Sequence, residues 1–213
     1  MASRDYGQYG GVARAVELIG ERWALLIVRD LLVGPRRYGE LAAGLPRIPS
    51  NILAARLKEL QAAGVIRRAP RSRIVIYELT PFGRELEPIV LALGAWGLSA
   101  LDEPREQQII TPDSMTIDLR SAFRPQVARD LPATAYAALF DDAELLIRVD
   151  GPSLDVRRGD GPADLAFAAD AGIHRLIAGE LDPRSAIATG AVRVLNGRGE
   201  LLYRFARTFR LAA

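Results

Sequence analysis

Between positions 36 and 73 the chain concentrates side chains that donate hydrogen bonds to anions and to base edges: Arg36, Arg37, Tyr38, Ser50, Asn51, Arg56, Lys58, Arg67, Arg68, Arg71 and Arg73. Over that stretch nine basic residues face two acidic ones, Glu40 and Glu59. Clustered positive charge is the electrostatic footprint of a phosphate-backbone contact. An Asn amide pairs with two atoms of the adenine edge, and Lys or Arg reaches guanine in the same groove. The chemistry these types offer is recognition of duplex nucleic acid.

Several of these side chains need one helix to position them. Ile48 to Gly64, IPSNILAARLKELQAAG, begins at a proline and ends at a glycine. Leu53, Leu57 and Leu60 fall at i, i+4 and i+7, which makes their face the buried one. Asn51, Ala54, Ala55 and Lys58 then point away, with Ser50 at the start and Arg56 on the flank. Such a small, polar face can approach a major groove closely; it also suits an ordinary surface helix, and the neighbouring segments must decide.

Those neighbours predict a compact helical domain. Val12 to Leu18 and Arg22 to Leu32 read as helices, the second burying Trp23, Leu26, Ile27 and Leu31 and ending at Gly34-Pro35. Arg37 to Ala43 reads as a third, with Tyr38 and Leu41 inward, and the turn LPRIP leads into the leucine-faced helix. Short helix, turn and second helix with a polar outer face is the helix-turn-helix order. VIRRAPRSRIVIYELT then changes to strand period: Val65-Ile66, a basic tip at APRSR, and Ile74 to Leu79. Thr80-Pro81 starts a helix, and Phe82, Leu86, Ile89, Leu93 and Trp96 form an a/d seam that predicts packing on another helix. Pro88 should kink it or cost it a hydrogen bond.

Composition narrows the function classes. The 213 residues are 49% hydrophobic with net charge +2, enough for real cores. The charge is uneven: residues 1–100 carry 14 basic against 9 acidic side chains and residues 101–213 carry 14 against 17. No cysteine is present, so disulfides, thiolate metal sites and thiol redox chemistry are excluded, and the one histidine, His174, cannot build a multi-histidine site. No metal or other cofactor is expected. Neither a membrane span nor a secretory signal is legible, which makes the cytoplasm the default location. Candidate catalytic groups are weak: Asp141-Asp142 reads as a strand-connecting turn, His174 with Asp170 as a helix-surface pair, and NGRGE at 196–200 is too short for a dinucleotide fingerprint. The chain is read as a non-enzyme.

Residues 18–96 resemble the winged helix-turn-helix domain of the HxlR-type regulators, close to the MarR-like repressors. The stretches that carry the resemblance, in order, are GERW, GPRRYGEL, LKELQAAG, YELTPFG and WG. It implies a homodimer binding a pseudo-palindromic operator in double-stranded DNA, with the first and last helices of each winged domain forming the dimer surface. Ser50, Asn51, Ala55, Arg56 and Lys58 would then lie in or near the groove, Arg36, Arg37 and Tyr38 on backbone phosphates, and Arg67, Arg68, Arg71 and Arg73 on phosphate or the minor groove. Many members sense oxidants through a cysteine just before the first helix. Here Gly10-Gly11 take that place, so sensing by that thiol is ruled out.

Residues 102–113, DEPREQQIITPD, read as a linker between a first domain (1–101) and a second (114–213). In the second, Met115 to Phe123 alternates like a strand, and Thr134 to Phe140, Glu144 to Val149, Ser153 to Arg158, Asp164 to Ala168 and Val192 to Leu195 follow. Helices are expected at Asp170 to Ala178, just after Asp182-Pro183, and at Glu200 to Phe209. The fold class is α+β, with an antiparallel sheet and helices on one face of it. Thr111 to Arg210 resembles the sterol-carrier-protein type 2 fold through ADLAFAAD, LIAGELDPRSAIATGAVRVLNG and the closing helix. This implies a hydrophobic, lipid-like ligand, with Leu176, Ile177, Leu201, Leu202, Phe205 and Phe209 as candidate lining or simply as solid core. The competing class is a lipid-binding or carrier protein whose first domain mediates protein contacts.

Overall fold

The computed structural model describes residues 5–140 and 143–211, which fall into two compact units, one up to Val90 and one from Leu91. The first contains helices α1 (Gly11–Ile19), α2 (Ala24–Val33), α3 (Tyr38–Gly44) and α4 (Ser50–Ala62), the hairpin of β1 (Ile66–Arg71) and β2 (Ile74–Leu79), and the short helix α5 (Pro81–Arg84). The unit boundary falls inside helix α6 (Glu87–Leu98). Leu53, Leu57 and Leu60 of α4 are buried, as are Ile27, Val28 and Leu31 of α2, Leu41 of α3, and Ile66, Ile76 and Leu79 of the hairpin.

Several expectations for this unit change. The inward stripe of α2 is Ala24, Ile27, Val28 and Leu31, while Leu26 is exposed. The helix starts two residues later than expected because Trp23 takes a left-handed conformation, φ 81°, at its N-cap. The β1 strand runs on to Arg71, so Arg67 and Arg68 belong to the ladder and the turn is Ser72-Arg73. The seam helix is two helices: α5 ends at Arg84 and α6 begins at Glu87. Pro88 explains the break, since it cannot donate in a helix interior but is tolerated in a first turn. Phe82, Ile89, Leu93 and Trp96 of the expected seam face outward, Trp96 being 71% exposed.

Thr80 fixes the junction after the hairpin. Its hydroxyl accepts from Gly83 N at 3.0 Å and donates to Gly64 O at 2.6 Å. Gly83 sits so tightly that an added Cβ would overlap the Val65 carbonyl. Gly83→Ala should therefore lower unfolding stability by about 1–3 kcal/mol, read as an earlier urea midpoint.

The second unit continues with α7 (Pro112–Ala122), α8 (Pro125–Ala128), β3 (Thr134–Phe140), β4 (Ala143–Asp150), β5 (Ser153–Arg158), β6 (Leu165–Ala169), α9 (Gly172–Ala178), α10 (Pro183–Thr189), β7 (Val192–Gly197) and α11 (Leu201–Thr208). The strands form one sheet in the order β5-β4-β3-β6-β7. The expected all-antiparallel sheet is mixed, because β3 pairs with β6 in parallel. The expected strand at Met115 to Phe123 is helix α7. Thr111 caps it, accepting from Ser114 N at 3.1 Å, and Pro112 occupies its first turn. Met115, Leu119 and Ala122 are buried at helical spacing, a period that coincides with the alternation seen in sequence. The last two residues of the expected linker, Pro112 and Asp113, therefore belong to this helix. The carboxylate of the buried Asp113 meets Arg158 at 2.8 Å.

Phe205 is the hub of this core. Its ring lies 5.3 Å from Tyr136, 5.3 Å from Phe167 and 4.6 Å from Phe209, centroid to centroid. Burial pushes the Tyr136 hydroxyl from 10.0 up to about 12, partly offset by the Arg204 charge. The unfolded chain releases that proton first, so stability should fall as pH rises from 10.0 towards 12; urea midpoints measured across that range check the sign. The histidine is paired differently from the expectation. His174 Nε2 lies 3.1 Å from Asp118 Oδ2, whereas Asp170 accepts from Gly172 N at 2.7 Å. Asp141-Asp142 lie outside the described residues.

Candidate nucleic-acid interface

Helix α4 presents two faces with opposite solvent exposure. Because the three leucines are buried, Ser50, Asn51, Ala54 and Lys58 are exposed and Ala55 is half-buried. The side chains of Asn51 and Lys58 have no hydrogen bond or ion pair among the described residues. The N-terminus of the helix is tied to α3: the Tyr38 hydroxyl donates to Ser50 O at 2.8 Å. Tyr38, expected to point inward, is instead partly exposed and makes this link at the surface.

Arg56 is placed differently from the reading face. Its guanidinium pairs with Glu21 at 3.0 Å and with Glu59, and its side chain is only 12% exposed. It joins α4 to the turn before α2 and has little surface left for a base edge. The sequence signal for this was available in part, since Glu59 lies three residues on, a helical ion-pair spacing. Glu21 is distant in sequence and was not legible.

Arg36 exchanges two backbone hydrogen bonds with Tyr77, at 3.0 and 2.7 Å, which ties the α2–α3 turn to β2. Arg37 is exposed, and its backbone N donates to Glu40 at 2.6 Å. Along the hairpin the four arginines divide into pairs. Arg67 lies opposite Glu78 in register and bonds it at 2.7 Å, with Arg71 at 3.7 Å from the same carboxylate. Arg68 and Arg73 are exposed and have no side-chain partner among the described residues. Glu78 was missed in sequence because its effect depends on the strand register.

The geometry therefore offers a polar helix face, two free cations on an adjoining hairpin and two half-neutralised ones beside them. Guanidinium and ammonium groups of this kind neutralise phosphates and release counterions. Arg68→Ala combined with Arg73→Ala should weaken binding to any duplex and reduce the salt slope of log K by about two, as fluorescence anisotropy over a salt series would show. Arg56→Ala should cost stability and leave base preference unchanged.

A family model for the HxlR-like helix-turn-helix matches residues 18–105. An HTH-type transcriptional regulator of Mycobacterium bovis is 43% identical over 96 residues, covering 44% of this chain and 60% of the relative. The chain thus spans less than two thirds of that relative's length. YvaP of Bacillus subtilis, likewise named an HTH-type transcriptional regulator, is 38% identical over 92 residues, covering 42% of this chain and 85% of the relative. The oxidised form of the redox regulator HypR aligns at 35% identity with a TM-score of 0.42, over 43% of this chain and 97% of that one. The chain belongs to the HxlR-like helix-turn-helix family. The relatives are named for transcription regulation, a non-enzymatic role, and no helix among the described residues is long and apolar enough to cross a membrane.

Proposed function

We propose that the protein is a one-component transcriptional regulator that binds a pseudo-palindromic DNA operator as a homodimer. The observation that carries this reading is the outer face of α4, where Asn51 and Lys58 are exposed and unpaired because Leu53, Leu57 and Leu60 are buried behind them. In this reading α4 enters the major groove with Asn51 on adenine. Ser50, Ala55 and Lys58 border the same groove. Arg36, Arg37 and Tyr38 meet phosphates at one side and the hairpin arginines meet them, or the minor groove, at the other.

Dimerisation is supported by apolar surface left in water. Val12 and Val16 of α1 are exposed, and so are Ile89, Leu93 and Trp96 of α6. Large exposed apolar groups at helical spacing mark an association surface, and two half-sites about 34–36 Å apart need two recognition helices. The part of the second unit from Pro112 onwards, with residues 102–111 leading into it, serves in this reading as a sterol-carrier-like sensing or dimer-stabilising domain. A hydrophobic ligand there would change the spacing of the two recognition helices. Leu176, Ile177, Leu201, Leu202, Phe205 and Phe209 are all buried among core side chains, so such a ligand must displace side chains to enter. Native mass spectrometry of protein purified from cells reads this directly, a retained small-molecule mass supporting the ligand and a consistently bare chain favouring solid core.

The main test is a mobility shift with the DNA upstream of the protein's own gene. Retardation at physiological salt well beyond that of random duplex is expected, and equal retardation would remove the reading. Asn51→Ala should cost roughly 1–3 kcal/mol at one base position. Leu93→Asp with Trp96→Asp should shift sedimentation from dimer towards monomer.

A further inference from the structure

The second unit has a cleft of about 320 Å³ beside the closing helix, with Leu131, Arg198, Glu200, Tyr203, Arg204 and Arg207 on its walls together with Leu201. Two local features bring three guanidiniums here. Helix α11 turns Leu201, Leu202 and Phe205 into the core. Arg204 and Arg207, at i and i+3, then share a side of the helix with Tyr203, four residues before Arg207. Arg198 comes from the turn between β7 and α11. That turn requires glycine at 197, where φ is +87° and an added Cβ would overlap the Asp164 backbone.

The three arginines are poorly neutralised. Arg204 Nη1 donates to Thr134 Oγ1 at 2.7 Å and to Pro132 O at 3.4 Å, acceptors that hold the group in place without cancelling its charge. The side chains of Arg198 and Arg207 are exposed and have no hydrogen bond or ion pair among the described residues. Glu200 is the one carboxylate on the wall, which leaves the lining with two positive charges in excess. Like charges around a half-open cleft repel one another and favour an anion. The wall is not only polar: Leu131, Leu201 and the Tyr203 ring give it an apolar side. A volume near the lower end of small-molecule sites suits a compact ligand better than a polymer.

We propose that this cleft binds a small organic oxyanion, a phosphate monoester or a carboxylate, with its charged group among Arg198, Arg204 and Arg207 and an apolar body against Leu131, Leu201 and Tyr203. Glu200 accepts from a hydroxyl or amino group of the same ligand. Planar guanidinium donors match the oxygens of both groups. The site does not depend on the DNA-binding reading and is distinct from the aromatic core.

Isothermal titration of the full chain with 1-naphthyl phosphate, 1-naphthoate, 1-naphthol and inorganic phosphate tests it. One of the two naphthyl anions should bind at one site per chain, naphthol should not, and inorganic phosphate should bind roughly tenfold or more weakly for want of the apolar contact. Whichever anion is tighter identifies the oxyanion class. Arg198→Gln with Arg207→Gln should lower affinity by roughly tenfold to a hundredfold while leaving the ligand-free thermal midpoint in place. Arg207→Glu gives an independent loss. Arg68→Ala with Arg73→Ala, which reports on the DNA face, should bind as the unaltered protein does. Absence of saturable binding by either anion, equal binding of naphthol, or loss only in the Arg68/Arg73 variant overturns the proposal.

Discussion

Burial of Leu53, Leu57 and Leu60 on one side of α4 is the contact on which the candidate interface depends. At about 100° per residue, fixing those three leaves no freedom for Asn51 and Lys58, which must face water or a partner. Each buried leucine stabilises the fold by roughly 1.5–3 kcal/mol, so rotating the helix to hide its polar face would forfeit more than any surface contact returns. The Tyr38 to Ser50 hydrogen bond and the Arg56 pairs with Glu21 and Glu59 then hold the helix against α3 and the preceding turn. The polar face is presented by packing rather than by a mobile loop.

The hairpin uses charge in a graded way. Glu78 holds Arg67 and stands near Arg71, limiting repulsion among the four arginines of a short hairpin. Arg68 and Arg73 keep their full charge for a partner. Glu78 is buried while Arg67 is exposed, and the Glu78 carboxylate reduces the net charge the hairpin offers to phosphate. The hairpin is consequently less positive than its composition suggests, its unpaired charge lying on Arg68 and Arg73.

Much of the first unit was legible because its signals are local. The leucine period of α4, the Gly34-Pro35 stop and the Thr80-Pro81 start each rest on a few adjacent residues, and each element appears close to its expected place. What escaped depended on distant partners or on two periods coinciding. Arg56 looked available until Glu21 was brought beside it. The alternation of Met115, Ile117 and Leu119 suits a strand, but the Thr111 cap and Pro112 select a helix in which Met115, Leu119 and Ala122 are buried. The parallel pairing of β3 with β6 follows from strand order across some thirty residues, which no local pattern specifies. Leu26 and Tyr38 were misassigned to the interior for a related reason: an apolar or aromatic type marks a candidate for burial, and the helix's rotation against its neighbours decides which candidates succeed.

The claim that α4 and the hairpin form the DNA-contacting surface can be measured without altering a residue. Hydrogen–deuterium exchange of the full chain, with and without a selected high-affinity duplex, should show new protection in residues 49–58 and 66–74. Protection confined to residues 112–211, with exchange in α4 and the hairpin unchanged at saturating DNA, would contradict it.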